Sequence, residues 1–157
     1  MIELIDEISN KYGCQVFLEP GEAVSLDAGI LVGEVLDLMN SIPMHALLDL
    51  SATCHAPDVI EAPYRPALLG DTQDGQYSYL LGGSSCLTGD SFGEYRMNNP
   101  IRIGDRVAFL DQAHYTMVKT NTFNGVKLPA IAIWNSRTDK LSMVREFGYD
   151  EFVNRLS

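Results

Sequence analysis

Cys86 is the residue in this chain best placed to do chemistry. It sits at the centre of GGSSCLTGDSF, where glycines and serines expose a thiol on a loop and an acid, Asp90, follows four residues on. Structural cysteines usually lie in apolar runs; a thiol in this setting is open to a reacting group. Three further segments carry polar side chains in unusual company. EPGEA (19–23) ends an apolar stretch in a turn whose backbone N–H groups could face an anion, with Glu19 beside them. Alone, those five residues read equally as a turn with a solvated acid.

SATCHAPDVIEAPYRPALLG (51–70) holds Cys54, His55, Asp58, Glu61, Tyr64 and Arg65 between three prolines. It predicts a rigid loop without regular structure, the kind of segment that holds function. Cys54 and His55 are adjacent, which in an extended segment sends them to opposite faces, so they make a poor nucleophile–base pair. Packing is the reading for Cys54, and His55 is left open between a structural and a site role. DQAHYTMVKTNTFNG (111–125) places Tyr115 and Phe123 around a polar run ending in Asn-Gly, which ordinarily signals a hairpin turn.

The elements that must carry these groups are legible in outline. Residues 1–12 predict an amphipathic helix with Ile2, Ile5 and Ile8 on one side and Gly13 as its C-cap. CQVFL (14–18) predicts a short buried strand. From residue 23 the texture turns to β: the stretch 23–40 is rich in apolar and β-branched residues, and segments 46–52, 77–83, 105–111, 130–135 and 141–147 read as strands bounded by turn residues. NSRTDKL gives a hairpin and GYDEFVNRL a closing helix. The fold class expected is mainly β with flanking helices, an antiparallel barrel or sandwich from residue 23 onward.

Composition bounds the function. The 157 residues suffice for one domain with a core. A net charge of −10 argues against nucleic acid and for cationic ligands, or simply for solubility. No apolar run approaches the ~20 residues of a membrane helix. The start, MIELIDEISNKYG, lacks the long apolar stretch of a secretory leader. Cys14, Cys54 and Cys86 form no CxxC pair, and their odd number suits a reducing, cytosolic setting. No Cys/His spacing suggests a zinc site.

Taken in order, EPGEA, the Cys86 loop with Asp90, and Tyr115-Thr116 eight residues ahead of Phe-Asn-Gly resemble the C-terminal part of the fold-type III pyridoxal-phosphate decarboxylases. EPGEA, SATCHAPDVIEAPYRP and CLTGDSFGEY are most similar to the carboxynorspermidine decarboxylases within that family. The resemblance covers essentially the whole chain. It implies pyridoxal 5'-phosphate as cofactor, a polyamine-like substrate, and a cytoplasmic homodimer. Residue by residue, it gives Glu19 to the pyridine nitrogen, Gly21 and the backbone of Glu22 to the cofactor phosphate, and the Tyr115 hydroxyl to that phosphate. Cys86 would enter the site from the partner subunit and reprotonate the product carbon, a step a thiol can perform. Asp58 and the Glu22 side chain are the candidates for the substrate's distal amines.

Departures from relatives sharpen this. Diaminopimelate decarboxylases have an arginine after EPG, where Glu22 here would repel a carboxylate and attract an amine. Ornithine decarboxylases have an acid directly after the cysteine, where Leu87 stands here. Diaminopimelate or another basic amino acid, or a non-catalytic β-domain that binds a partner, remain the alternatives. Arg65 meets either a substrate carboxylate or a neighbouring acid, the latter being the reading preferred. The family's Schiff-base lysine belongs to a barrel segment with no match here, and Lys11, Lys119, Lys127 and Lys140 lie outside any matching motif. The expectation is a truncated C-terminal portion, with residues 1–22 a remnant of the α/β barrel and 23–157 the β-domain. Such a chain would be inactive alone and prone to oligomerise through uncovered apolar surface.

Overall fold

The computed structural model describes residues 1–156. Helix α1 (Ile2–Tyr12) ends where Gly13 takes a left-handed φ of 60°, the C-cap conformation that glycine adopts without a Cβ penalty. Its apolar side is uncovered, and none of its residues is buried. The strand expected at 14–18 does not form. Those residues lie in no strand, and Phe17 is 83% exposed. A strand needs a neighbour for its N–H and C=O groups, and no described residue pairs with this segment. One helical turn, α2 (Gly21–Ser25), follows.

The core belongs to a five-stranded sheet in the order β4-β3-β2-β1-β5, curled into half a barrel. Its strands are β1 (Leu31–Met39), β2 (Met44–Leu48), β3 (Tyr77–Gly82), β4 (Ser91–Met97) and β5 (Arg106–Phe109). β1 pairs with β5 through Leu31–Glu34 and with β2 from Val35 onward, with an irregularity between Val35 and Asp37. A break in register of this kind adds local twist, which is how one strand serves both ends of a curl. Val35, Leu48, Leu81, Phe92, Tyr95 and Phe109 fill the concave side, and the Phe92 and Phe109 rings stack at 4.2 Å. Full burial of each such side chain is worth about 1.5–3 kcal/mol.

The sheet is antiparallel except for β2 with β3. Parallel neighbours need a crossover connection, and residues 51–70 lie in it. Residues 62–70 are irregular as expected, but the first half of the segment is not. It folds into two single turns, α3 (Ala52–His55) and α4 (Asp58–Glu61), the first capped by the Ser51 side chain accepting the Cys54 N–H. β4 was not anticipated; Ser91–Met97 buries Phe92, Tyr95 and Met97, so the Cys86 loop is the connection of the β3–β4 hairpin. After β5 come α5 (Tyr115–Val118), a 3-10 turn at Phe123–Gly125, the exposed hairpin of β6 (Ile131–Asn135) and β7 (Lys140–Arg145), and α6 (Asp150–Val153). The Asn-Gly signal did not mark a hairpin: Asn124 and Gly125 take positive φ inside the 3-10 turn instead. No helix among the described residues is long and apolar enough to cross a membrane.

Candidate functional site

The expected site residues fall into two groups. The first surrounds α2. The turn closes with the Gly21 N–H donating to the Glu19 carbonyl at 2.9 Å. The Gly21 amide is thus spent within the turn, while the Glu22 and Ala23 amides at the helix start have no acceptor among the described residues. α5 packs beside it. A Cβ built on Gly21 would lie 3.9 Å from the Tyr115 hydroxyl, so the phenol faces the glycine at contact distance. His114 Nε2 lies 3.9 Å from the Glu22 carboxylate, and both its ring nitrogens are buried without a hydrogen bond. The buried Thr116 hydroxyl is likewise unpartnered. Unpartnered polar atoms in the residues just before and after an exposed tyrosine, with the open Glu22 and Ala23 amides on the neighbouring turn, suit a polar anionic group such as a phosphate. The Glu19 carboxylate has no hydrogen bond or ion pair among the described residues.

Asp58 joins this group through a residue the sequence did not single out. Lys119, one turn beyond Tyr115, places its ammonium 2.6 Å from Asp58 Oδ1 and 2.5 Å from Glu61 Oε2, and 5.9 Å from the Tyr115 ring centre. Asp58 and Glu61 sit three apart on α4 and so share a face. Hydrogen bonds to the two carboxylates push the Lys119 pKa up, so it remains charged. The acid pair is thus an ammonium-binding arrangement, filled here by a lysine.

The second group surrounds Cys86, which is exposed and touches neither Tyr115 nor α2 by any hydrogen bond among the described residues. Asp90 is the post beneath its loop. One carboxylate oxygen accepts the Thr53 N–H at 3.0 Å and the other accepts the Ser85 N–H at 2.9 Å. Gly83 allows this closure, since a Cβ there would overlap the Asp90 carboxylate. Burial opposes ionisation of Asp90, but the hydrogen bonds from Ser85, Thr53 and Ser51 outweigh it and hold the carboxyl below its ordinary range. On the far side the Cys86 N–H donates to Asn124 Oδ1 at 2.9 Å.

α3 ties both sides together. The Cys54 thiol donates to the Phe123 carbonyl, and burial pushes its pKa up. Asn121 donates its side-chain N–H to the Thr53 carbonyl. Buried His55 accepts the Ser51 N–H at Nδ1, so its proton is on Nε2 and is given to the Lys127 carbonyl at 3.0 Å. Burial lowers its pKa, which keeps the ring neutral. Both residues therefore serve structure. Arg65 pairs with Asp71 at 2.8 Å and lies over the Tyr95 ring, away from both groups. Asn124, Glu61 and Lys119 were missed as site-lining residues. The positive φ favoured by Asn-Gly was the one readable hint, because the contacts themselves span 38 to 61 residues of sequence.

Residues 8–113 match the family described as pyridoxal-dependent decarboxylase, C-terminal sheet domain. The chain belongs to that family. It is 41% identical over 168 residues to the carboxynorspermidine/carboxyspermidine decarboxylase of Campylobacter jejuni, covering 99% of this chain and 44% of the relative. It is 46% identical over 145 residues to the carboxyaminopropylagmatine decarboxylase of Synechocystis, covering 90% of this chain and 37% of the relative. The crystal structure of carboxynorspermidine decarboxylase complexed with norspermidine from Campylobacter jejuni superposes with a TM-score of 0.84 at 41% identity, over 98% of this chain and 45% of that one. A diaminopimelate decarboxylase from M. jannaschii shares the fold, with a TM-score of 0.75 at 18% identity. The chain thus spans less than half the length of the relatives it matches.

Proposed function

We propose that this chain is the sheet-domain part of a pyridoxal-phosphate-dependent carboxy-lyase that converts carboxynorspermidine or carboxyspermidine to norspermidine or spermidine and CO₂. The observation that carries the reading is likeness along 99% of the chain, at 41% identity, to an enzyme of that name. In this reading residues 1–22 close an α/β barrel and residues 23–157 form the β-domain. The three free thiols support a reducing, cytosolic setting.

Bound pyridoxal phosphate supplies an electron sink for the electron pair left by CO₂ loss. The residues of this chain hold and tune it. The carboxylate of Glu19 keeps the ring nitrogen protonated, and Gly21, the Glu22 backbone and the Tyr115 hydroxyl hold the phosphate. The orphaned polar atoms of His114 and Thr116 support that assignment. Asp58, once a substrate ammonium displaces Lys119 from it, and the Glu22 side chain hold the substrate's distal amines. Cys86 gives a proton to the product carbon. In this reading the complete enzyme is a homodimer in which each Cys86, exposed on its loop, serves the partner's site.

Replacing Cys86 by Ala in the complete enzyme should lower kcat on carboxynorspermidine about a hundredfold. Mixing Cys86→Ala with Glu19→Ala chains should then recover activity, because one site of each heterodimer is intact. Unchanged product formation in Cys86→Ala would remove the proton-donor role, and failure of the mixture to recover would remove the shared site. A second reading rests on the 46% identity to the carboxyaminopropylagmatine decarboxylase. That substrate ends in a guanidine instead of an amine, so kcat/KM measured on both separates the two.

A further inference from the structure

We propose that Asn124 is the positioning residue of Cys86, and that its left-handed turn exists to aim a side-chain carbonyl at the Cys86 backbone. The inference deepens the reading of Cys86 as proton donor, and rests on it for its catalytic consequence.

Cys86 lies at the exposed end of the β3–β4 connection, where nothing but its own loop would fix it. Its N–H donates to Asn124 Oδ1 at 2.9 Å across 38 residues of sequence, and it makes no other hydrogen bond among the described residues. Asn124 has φ 58° and ψ 12°, and Gly125 has φ 73°. Two consecutive left-handed residues ordinarily turn a hairpin, yet no strand flanks this turn. The strained conformation therefore serves something other than sheet pairing.

Both ends of the Asn124–Cys86 bond rest on α3. On one side Phe123 accepts the Cys54 thiol at 3.4 Å, and the Asn121 N–H donates to the Cys54 carbonyl at 2.9 Å. On the other side Asp90 takes the Thr53 N–H, two residues from the α3 cap, together with the Ser85 N–H beside Cys86. Four hydrogen bonds and the peptide links between sequence neighbours close a ring from Cys86 through Ser85, Asp90, Thr53, Cys54 and Phe123 to Asn124. In that ring Asn124 supplies the one link that reaches the reactive residue itself. Fixing the backbone at Cys86 limits where its thiol can point when it is presented to a neighbouring subunit.

Left-handed φ alone would be met as well, or better, by glycine. The decisive comparison is therefore Asn124→Gly, which preserves the turn and deletes the carbonyl, against Asn124→Asp, which preserves both. Hydrogen exchange of the Cys86 amide in the holoenzyme reads the bond directly. Exchange should be about tenfold faster in Asn124→Gly and close to the parent in Asn124→Asp. Unchanged protection in Asn124→Gly would overturn the proposal and leave Asn124 a turn residue only. Steady-state kinetics give the catalytic arm: Asn124→Gly lowers kcat about tenfold with KM little changed, and adds no further loss in a Cys86→Ala background. Additive losses would mean that Asn124 acts elsewhere, overturning the positioning role. Should Cys86→Ala alone leave kcat intact, the proton-donor reading fails, and the exchange result still decides whether Asn124 holds Cys86.

Discussion

Around Gly21 and Tyr115 the polar side chains are mostly exposed, and the firmest links are ion pairs, with Lys119 between Asp58 and Glu61. Beneath Cys86 the supporting groups are buried: Ser51, Cys54, His55 and Asp90 are each at most 8% exposed and work through hydrogen bonds to backbone, and only the last link to Cys86, Asn124, is exposed. Ion pairs in water contribute little and yield to a competing charge. Buried hydrogen bonds are costly to break, because the abandoned partner has no water to turn to. The difference suits the roles proposed for the two groups. The side that would receive charged ligands exchanges its partners easily, while the side that would deliver a proton across an interface is fixed from below.

The sharpest way to break this contrast is at Asp90. Asp90→Ala leaves the Thr53 and Ser85 N–H groups without acceptors, and should cost about 3 kcal/mol of stability in thermal or denaturant unfolding. A loss below 1 kcal/mol would mean that the post under Cys86 is not structural.

Acid should separate the two groups next. His55 is neutral in the fold because burial lowers its pKa from the ordinary 6.5. As pH falls below 6.5 the unfolded chain takes a proton that folded His55 refuses, so stability is full above that value and declines toward the folded pKa. Asp90, depressed from 3.8, adds a second loss as pH falls from there through its folded value. Protection factors across 51–55 and 121–127, with the intrinsic pH dependence of amide exchange divided out, should therefore fall between pH 7 and 5, and His55→Gln should flatten that response. An equal fall around α2 would show that the two groups are not independently held.

The smallest effect is expected at Lys119. Lys119→Met should move Tm by no more than about 3 °C, as for other exposed ion pairs. Under the proposed function it also leaves Asp58 and Glu61 open to a substrate ammonium, so the KM of the complete enzyme for carboxynorspermidine should fall severalfold. A rise in KM would instead make Lys119 the residue that orients Asp58.

Much of this was readable in advance. Apolar and β-branched segments bounded by turn residues located most strands of the sheet, and Gly13 located the end of α1, because both signals follow from local backbone preferences. β4 was hidden because SFGEYRM opens with small and polar residues, and its burial is set by β3 alongside it. The segment 14–18 misled in the opposite sense. Its apolar run satisfies the local rule for a strand, but pairing is a non-local condition that no described residue meets.

The sequence by itself determined the β-rich class, the exposure of Cys86, the turn at Gly21 and the family resemblance, all of which depend on residue type and short spacing. Tertiary structure alone decided that Tyr115 faces Gly21, that Lys119 fills the Asp58–Glu61 pair, that His55 is a neutral strut, and that an Asn-Gly turn carries the Cys86 amide. Each of these is a contact between residues far apart in the chain. Such contacts arise only once the parallel β2–β3 crossover and the curl of the sheet have brought α3, the β3–β4 connection and the 121–125 turn together.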